Sequence, residues 1–358
     1  MAIMRISSRQ IGPRAQLLAQ SHRCASTTAR PRLKNASEAA SYMMDKFAGK
    51  TIIRNEDIDR NQLRKLALTL NRPISPADDS RSELFTFTTV PPGYHLVYFT
   101  PEDIESGLGP DGSDQTFNAL APFTRRMWAG GKMVFDPKHP LQTDLPAEEH
   151  TKLVNAIAKT NKAGEEMVLV EVEKKFYRKG QLSVIDQRSW MFRPSLETGV
   201  IRKMRPNEGD VLAPSSWKEI SVENSAYPVW QLSWSPVGLF RFSALTFNGH
   251  KIHYNEDWTR TAEGHPNAVV HGPLNLINLL DYWRNVHGCD KFGRQGGGPR
   301  EIRYRAISPV YAGEKYQIRT GEITGSYPDR TFEVFAERDG VAVMKAYILE
   351  AVHDIDSL

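Results

Sequence analysis

Apolar and polar positions alternate along most of the chain at the spacing of strands, and only two stretches follow a helical period. The first is 55–72 (NEDIDRNQLRKLALTLNR), where Leu63, Leu66 and Leu70 recur at helical spacing and Asp57 can cap the first turn. From Pro73 to Ser113 the chain is rich in Pro, Gly and Asp and reads as loop, broken by a strand-like YHLVYF at 94–99. RRMWAGGKMVF follows at 125–135, before a turn at Asp136–Pro140. The segment EMVLVEVEKKFYR (166–178) is a long strand. QLSVIDQRSWMFR (181–193) returns beside it through the turn Lys179–Gly180, which predicts a hairpin. Residues 201–226, polar and rich in Pro and Ser, read as a linker.

A second block opens at Tyr227 with strand-like VWQLSW and continues through LFRFSALTFNGHKIHYNEDWTR to a Gly-His-Pro break at 264–266. In AVVHGPLNLINLLDYWRNV the residues Leu274, Ile277, Leu280 and Trp283 mark the second helix, apolar on most sides and so expected to be buried. After a glycine-rich loop (293–298) come EIRYRAISPVY, EKYQIRTGEI and RTFEVFAERDGVAVMKAYILEAV, the last holding a hairpin turned at Arg338–Gly340. The order predicts an α+β fold in which a curved antiparallel sheet wraps one apolar helix. The first block offers similar strands but no equally apolar helix. No repeat is visible in the residues, so a duplication rests on element order alone.

Composition narrows the field. The 358 residues suffice for two domains, and 40% apolar with 25% charged content is that of a soluble globular chain. No run of eighteen apolar residues exists, so no membrane span is expected. The net charge is +4 and its basic excess sits at the N-terminus, which gives no support for nucleic-acid binding. Cys24 and Cys289 have no partner at ligand spacing, which argues against a disulfide scaffold or a cysteine zinc site. Residues 1–37 contain no acid but carry Arg5, Arg9, Arg14, Arg23, Arg30, Arg32 and Lys34 among serines and threonines. That is the composition of a mitochondrial transit peptide, with cleavage expected after Arg23 and the matrix as destination.

The candidate chemistry lies in Phe242–Tyr254 (FSALTFNGHKIHY), which packs Asn248, His250 and His253 into six residues ahead of the apolar helix. This stretch resembles the hydratase-2 or MaoC signature, D-x-N-x-x-H after a strand. On that spacing Asn248 stands at the acid position, His250 at the Asn position and His253 at the catalytic histidine. VVHGPL (269–274) looks like the family's entry to its central helix. LGPDG (108–112) and RRMWAGG (125–131) resemble the first half of double-hotdog mesaconyl-CoA hydratases and mitochondrial type 2 hydroxyacyl-thioester dehydratases. The resemblance spans roughly 55–355.

The resemblance implies a double hotdog, with an N-terminal unit at 38–200, the linker at 201–226 and a catalytic MaoC-like unit at 227–358. The implied activity is reversible dehydration of 3-hydroxyacyl thioesters, in mitochondrial type II fatty acid synthesis or, alternatively, on a short dicarboxylic thioester such as mesaconyl-CoA. In that chemistry a neutral imidazole can take the α-proton and return it to the leaving hydroxyl. A helix N-terminus can stabilise the charge that builds on the thioester oxygen. His253 is then the acid/base and the Gly272 N–H the oxyanion donor. Asn248 can orient a hydroxyl or water but cannot carry a proton, which leaves a non-catalytic acyl-thioester-binding protein as a reading of another class. Contacts to substrate are expected from His250, Tyr254, His271, Arg126 and Trp128. His250 and His253 lack a third ligand at fixed spacing, so no metal is expected, and no cofactor. The partner is an acyl-CoA or acyl carrier protein thioester, and a homodimer is admitted.

Overall fold

The computed structural model describes residues 32–72, 88–196, 213–223, 225–288, 298–327 and 329–350. Most of the predicted transit peptide, the loop after Pro73, the first part of the linker and most of the glycine-rich loop lie outside the described residues.

Alternating inward and outward side chains build one eleven-stranded antiparallel sheet. In chain order the elements are α1 (Ala36–Phe47), β1 (Thr51–Asp57), α2 (Arg60–Leu70), β2 (Arg125–Phe135), β3 (Pro146–Thr160), β4 (Glu166–Arg178), β5 (Gln181–Arg193), β6 (Ser216–Ile220) and β7 (Val229–Ser233). They continue as α3 (Pro236–Leu245), α4 (Glu256–Thr261), α5 (Gly272–His287), β8 (Pro299–Ala306), β9 (Lys315–Thr324), β10 (Thr331–Arg338) and β11 (Val341–Glu350). Among the described residues no helix is long and apolar enough to cross a membrane.

The duplication is visible in the strand order. From a seam where Gly130–Val134 of β2 pair with Glu301–Arg305 of β8, one side runs β2-β5-β4-β3-β1. The other runs β8-β11-β10-β9-β7, the same permutation, with β6 added at the edge. The fold is the double hotdog that element order implied, with its two sheets joined edge to edge.

The halves differ in what their sheets enclose. In the second half α5 fills the curve: Leu274, Leu276, Ile277, Leu279, Leu280, Tyr282 and Trp283 are each at most 2% exposed. At about 1.5–3 kcal/mol per fully buried large apolar side chain, this helix is a main source of that half's stability. Among the described residues the first half has no such helix. There α1, capped by Asn35, lays Ala36, Ala39, Ala40 and Met43 against Leu153, Val168, Val170 and Val172 at one end of the sheet. Further along the same face, β3, β4 and β5 bury Glu149, Thr151, Lys174 and Asp186.

Several local expectations are corrected. Residues 55–57 belong to strand β1, and the helix predicted at 55–72 starts at Arg60 with Asp59 as its cap, its side chain accepting from Gln62 N–H at 2.9 Å. YHLVYF is not a strand: Tyr94–Val97 form a 3-10 turn. The motif stretch follows helix α3 rather than a strand. Residues 216–220, inside the predicted linker, form β6.

Candidate active site

Helix α3 sets up the motif. Ser235 caps it by accepting the Gly238 N–H at 3.1 Å, and Pro236 stands in the first turn, where a missing N–H costs nothing. At its end Phe247 adopts a left-handed φ of 47° and reverses the chain, so that Asn248 N–H returns to Ser243 O at 2.8 Å. Asn248 Oδ1 then accepts the His250 N–H at 3.0 Å, fixing the entry to a 3-10 turn over Lys251–His253. His253 therefore projects from a turn, not from a strand end.

Its orientation is held at Nδ1, 2.7 Å from Val269 O. A carbonyl only accepts, so Nδ1 carries the proton and Nε2 keeps the lone pair. The ring stacks on His271, with centroids 3.6 Å apart and planes 17° from parallel. His271 is the N-cap residue of α5, and its Nε2 lies 2.9 Å from Ser243 Oγ. Burial first, and then the neighbouring His250, pushes His253 down to about 3, and burial with His253 beside it holds His271 well below the usual histidine range. Both are neutral imidazoles at physiological pH.

Gly272 opens α5, so its N–H has no acceptor inside the helix, and Pro273 has no N–H to offer. The helix dipole adds partial positive charge there. A Cβ on Gly272 would stand 3.0 Å from Trp128 Cβ and Cγ, so the glycine lets the helix end close against β2 of the other half.

These groups line one cavity of about 340 Å³ between the halves. The second half contributes Asn248, His250, His253, His271 and Gly272; the first contributes Arg126 and Trp128. Tyr254 is not part of the lining. It is 42% exposed and donates its hydroxyl to Gly249 O at 3.0 Å. Arg126 lies over the Trp190 ring at 5.0 Å and donates to Asn118 Oδ1 at 3.0 Å.

Sequence reasoning missed three features. Ser243 stands inside the quoted motif but gives no sign of its bond to His271. Asp111, in the LGPDG stretch, lies 3.4 Å from His250 Nε2 across the two halves. The far wall of the cavity holds Arg54, Glu149, Lys174 and Arg188. There Lys174 Nζ and Arg54 donate to Glu149 at 2.9 and 3.3 Å, and Arg188 donates to Asp186 at 2.7 Å. Burial raises the Asp186 carboxyl, but Arg188 and His95 outweigh it and hold it at about 2.

The arrangement can bind a thioester carbonyl at the α5 N-terminus while a neutral imidazole nitrogen faces the adjacent carbon. Residues 93–312 match the sequence pattern of hydroxyacyl-thioester dehydratase type 2. The chain is 32% identical over 242 residues to mesaconyl-C(4)-CoA hydratase of Chloroflexus aurantiacus, covering 67% of this chain and 78% of that protein. It is 26% identical over 265 residues to the mitochondrial hydroxyacyl-thioester dehydratase type 2 of Schizosaccharomyces pombe, covering 68% and 81%. A double-hotdog protein of Mycobacterium tuberculosis superposes with a TM-score of 0.51 at 12% identity over 86% of this chain and 97% of its own, which speaks to the fold. With its pattern match extending from the first half through the motif to β9's threshold, the chain belongs to the hydroxyacyl-thioester dehydratase type 2 family and is a hydro-lyase.

Proposed function

We propose that this protein interconverts 3-hydroxyacyl and trans-2-enoyl thioesters within mitochondrial type II fatty acid synthesis, with His253 as the proton carrier. One observation carries the reading: a neutral imidazole with Nε2 unprotonated borders the same cavity as the first N–H of α5. In dehydration His253 Nε2 takes the α-proton. Negative charge moves onto the thioester oxygen, where the Gly272 N–H stabilises it. The C3–O bond then breaks and the leaving hydroxyl departs as water with the proton returned by His253. The mitochondrial setting is supported by the acid-free, arginine-rich start and by the compartment in the name of the fission-yeast relative. Residues 1–40 fused to a fluorescent reporter are expected to carry it into mitochondria; diffuse cytosolic signal would remove that part.

A second reading has its own observation. The cavity wall in the first half carries charged groups among its apolar ones: Arg54 and Lys174 beside Glu149, Arg188 backed by the buried Asp186, and Arg126 close to His250. Those cations suit a short acyl group that ends in a carboxylate. Hydration rates on crotonyl-CoA, a long-chain 2-enoyl-CoA and mesaconyl-CoA, measured side by side, separate the two. The greatest kcat/KM on the long chain supports the fatty-acid reading, and the greatest on mesaconyl-CoA supports the dicarboxylate.

A further inference from the structure

The family pattern places an acid where this chain has Asn248, and the amide is spent on holding the turn through His250 N–H. An acid does reach the site from the other half. The loop at 109–113 runs backbone to backbone against Gly249–Lys251. Lys251 N–H donates to Asp111 O at 2.8 Å, and Lys251 Nζ donates to Pro110 O at 2.7 Å. The fit is close enough to require glycine on both sides. A Cβ on Gly112, whose φ is 78°, would stand 2.2 Å from Gly249 O, and one on Gly249 would stand 2.8 Å from Gly112 O. Within this clasp the Asp111 carboxylate is fixed by Ser113, whose N–H and Oγ–H donate to Oδ1 at 3.0 and 2.8 Å. Oδ2 is left facing His250 Nε2 at 3.4 Å.

We infer that Asp111 is a positioning residue for the dehydration: it selects the His250 tautomer protonated at Nε2, so that Nδ1 accepts a hydrogen bond from the substrate's 3-hydroxyl or the attacking water. The inference rests on the hydro-lyase reading with His253 as proton carrier. A carboxylate beside one imidazole nitrogen favours the proton there, which makes the other nitrogen an acceptor. His250 and His253 rings are 5.5 Å apart, edge to face, so an oxygen held by the first can lie near the second. The proton balance needs no further group: the proton that leaves Cα for His253 is the one that departs with the 3-hydroxyl as water. At 3.4 Å the two groups stand just beyond a formed hydrogen bond, and catalytic hydrogen bonds are often long until substrate tightens them. Asp111 thus takes over, through His250, the orienting part of the work an acid at position 248 would do.

The test combines Asp111→Asn, His250→Gln and the double variant, with imidazole nitrogen NMR of the full chain. Asparagine keeps the Ser113 bonds, so the clasp should survive and the melting temperature should stay within a few degrees. The expected result is a tenfold to thousandfold fall in kcat for either single variant, KM within about threefold, and no further fall in the double variant. The His250 spectrum is expected to show the Nε2–H tautomer in the parent and to shift towards Nδ1–H in Asp111→Asn. Costs that multiply in the double variant, or an unchanged tautomer, would overturn the inference. Were Asp111→Asn fully active while His253→Gln is dead, the inference alone would fail; a parent protein inactive on every thioester tried would take the function and the inference together.

Discussion

Lowering the pH from 7 to 5 puts the imidazole cluster under direct strain. In an unfolded chain each histidine titrates near 6.5. In the fold, burial first and nearby positive charge or a second imidazole next hold His250 and His253 at about 3 and His271 well below its usual value. Their folded values are depressed, so the unfolded chain takes up protons that the fold refuses. The stability tied to these rings is complete above about pH 6.5 and is lost as the pH falls from there towards 3. From pH 7 to pH 5 the loss is about 2 kcal/mol for each ring that stays neutral. Solvent reaches His253 through the cavity and the rings are coupled, so the three together should cost on the order of 5 kcal/mol. For a chain of this size that is a drop in melting temperature on the order of 10 °C. Thermal melts at closely spaced pH values, with kcat/KM measured on crotonyl-CoA at the same points, check it. Activity should show no titration near 6.5 while the protein remains folded, and should vanish with the fold. A kcat/KM midpoint near 6.5 at constant melting temperature would refute the reasoning, because the rings would then be titrating as if in water.

Four further outcomes follow from named contacts. His253→Gln, which keeps size and a hydrogen bond but cannot shuttle protons, should lower kcat about a hundredfold to ten-thousandfold with little change in KM, at unchanged fold by thermal melt. Gly272→Ala places a methyl 3.0 Å from Trp128 and must shift the α5 N-terminus by a few tenths of an ångström, so kcat/KM should fall roughly tenfold to a hundredfold in steady-state assays. Arg188→Met leaves Asp186, 0% exposed, without its main partner and should cost about 3–5 kcal/mol in urea unfolding. A chain beginning at residue 32 should melt like the full-length protein, whereas one beginning at Lys50 loses Met43 and Ala39 from the first-half core and should be destabilised by several kcal/mol.

Strong periodicity made part of this structure legible. The 166–193 hairpin, helix α5 and the C-terminal hairpin stand where their patterns put them, since in each the apolar positions recur often enough to mark the element despite buried polar residues such as Lys174, Asp186 and Asn278. Strand β3 escaped notice because its buried positions include Glu149 and Thr151, which break the alternation that identifies a strand. The end of β1 was absorbed into the α2 pattern, as NED carries no apolar signal of its own. Helix α3 was obscured because PVGLFRFSAL is apolar nearly throughout, and its Ser-Pro start was the available sign. Within the site, the roles tied to a local motif brought Asn248, His250 and His253 to one cavity. Asp111, which meets His250, and the Lys174–Glu149 pair depend on contacts between separate segments of the chain, which spacing does not encode.

The β2–β8 seam lets one polypeptide do what a symmetric pair of identical chains cannot. In such a pair every substitution appears twice, so a charge placed on the inner face of one half would also appear beneath the central helix of the other. Joining the halves in one chain removes that coupling. One inner face has stayed greasy around α5, while the other holds Glu149, Lys174, Asp186 and Arg188 without disturbing it. The same independence gives a protein engineer a handle: exchanging those four residues for volume-matched apolar ones should retune which acyl tails are accepted, while the imidazole stack and the helix N-terminus remain untouched.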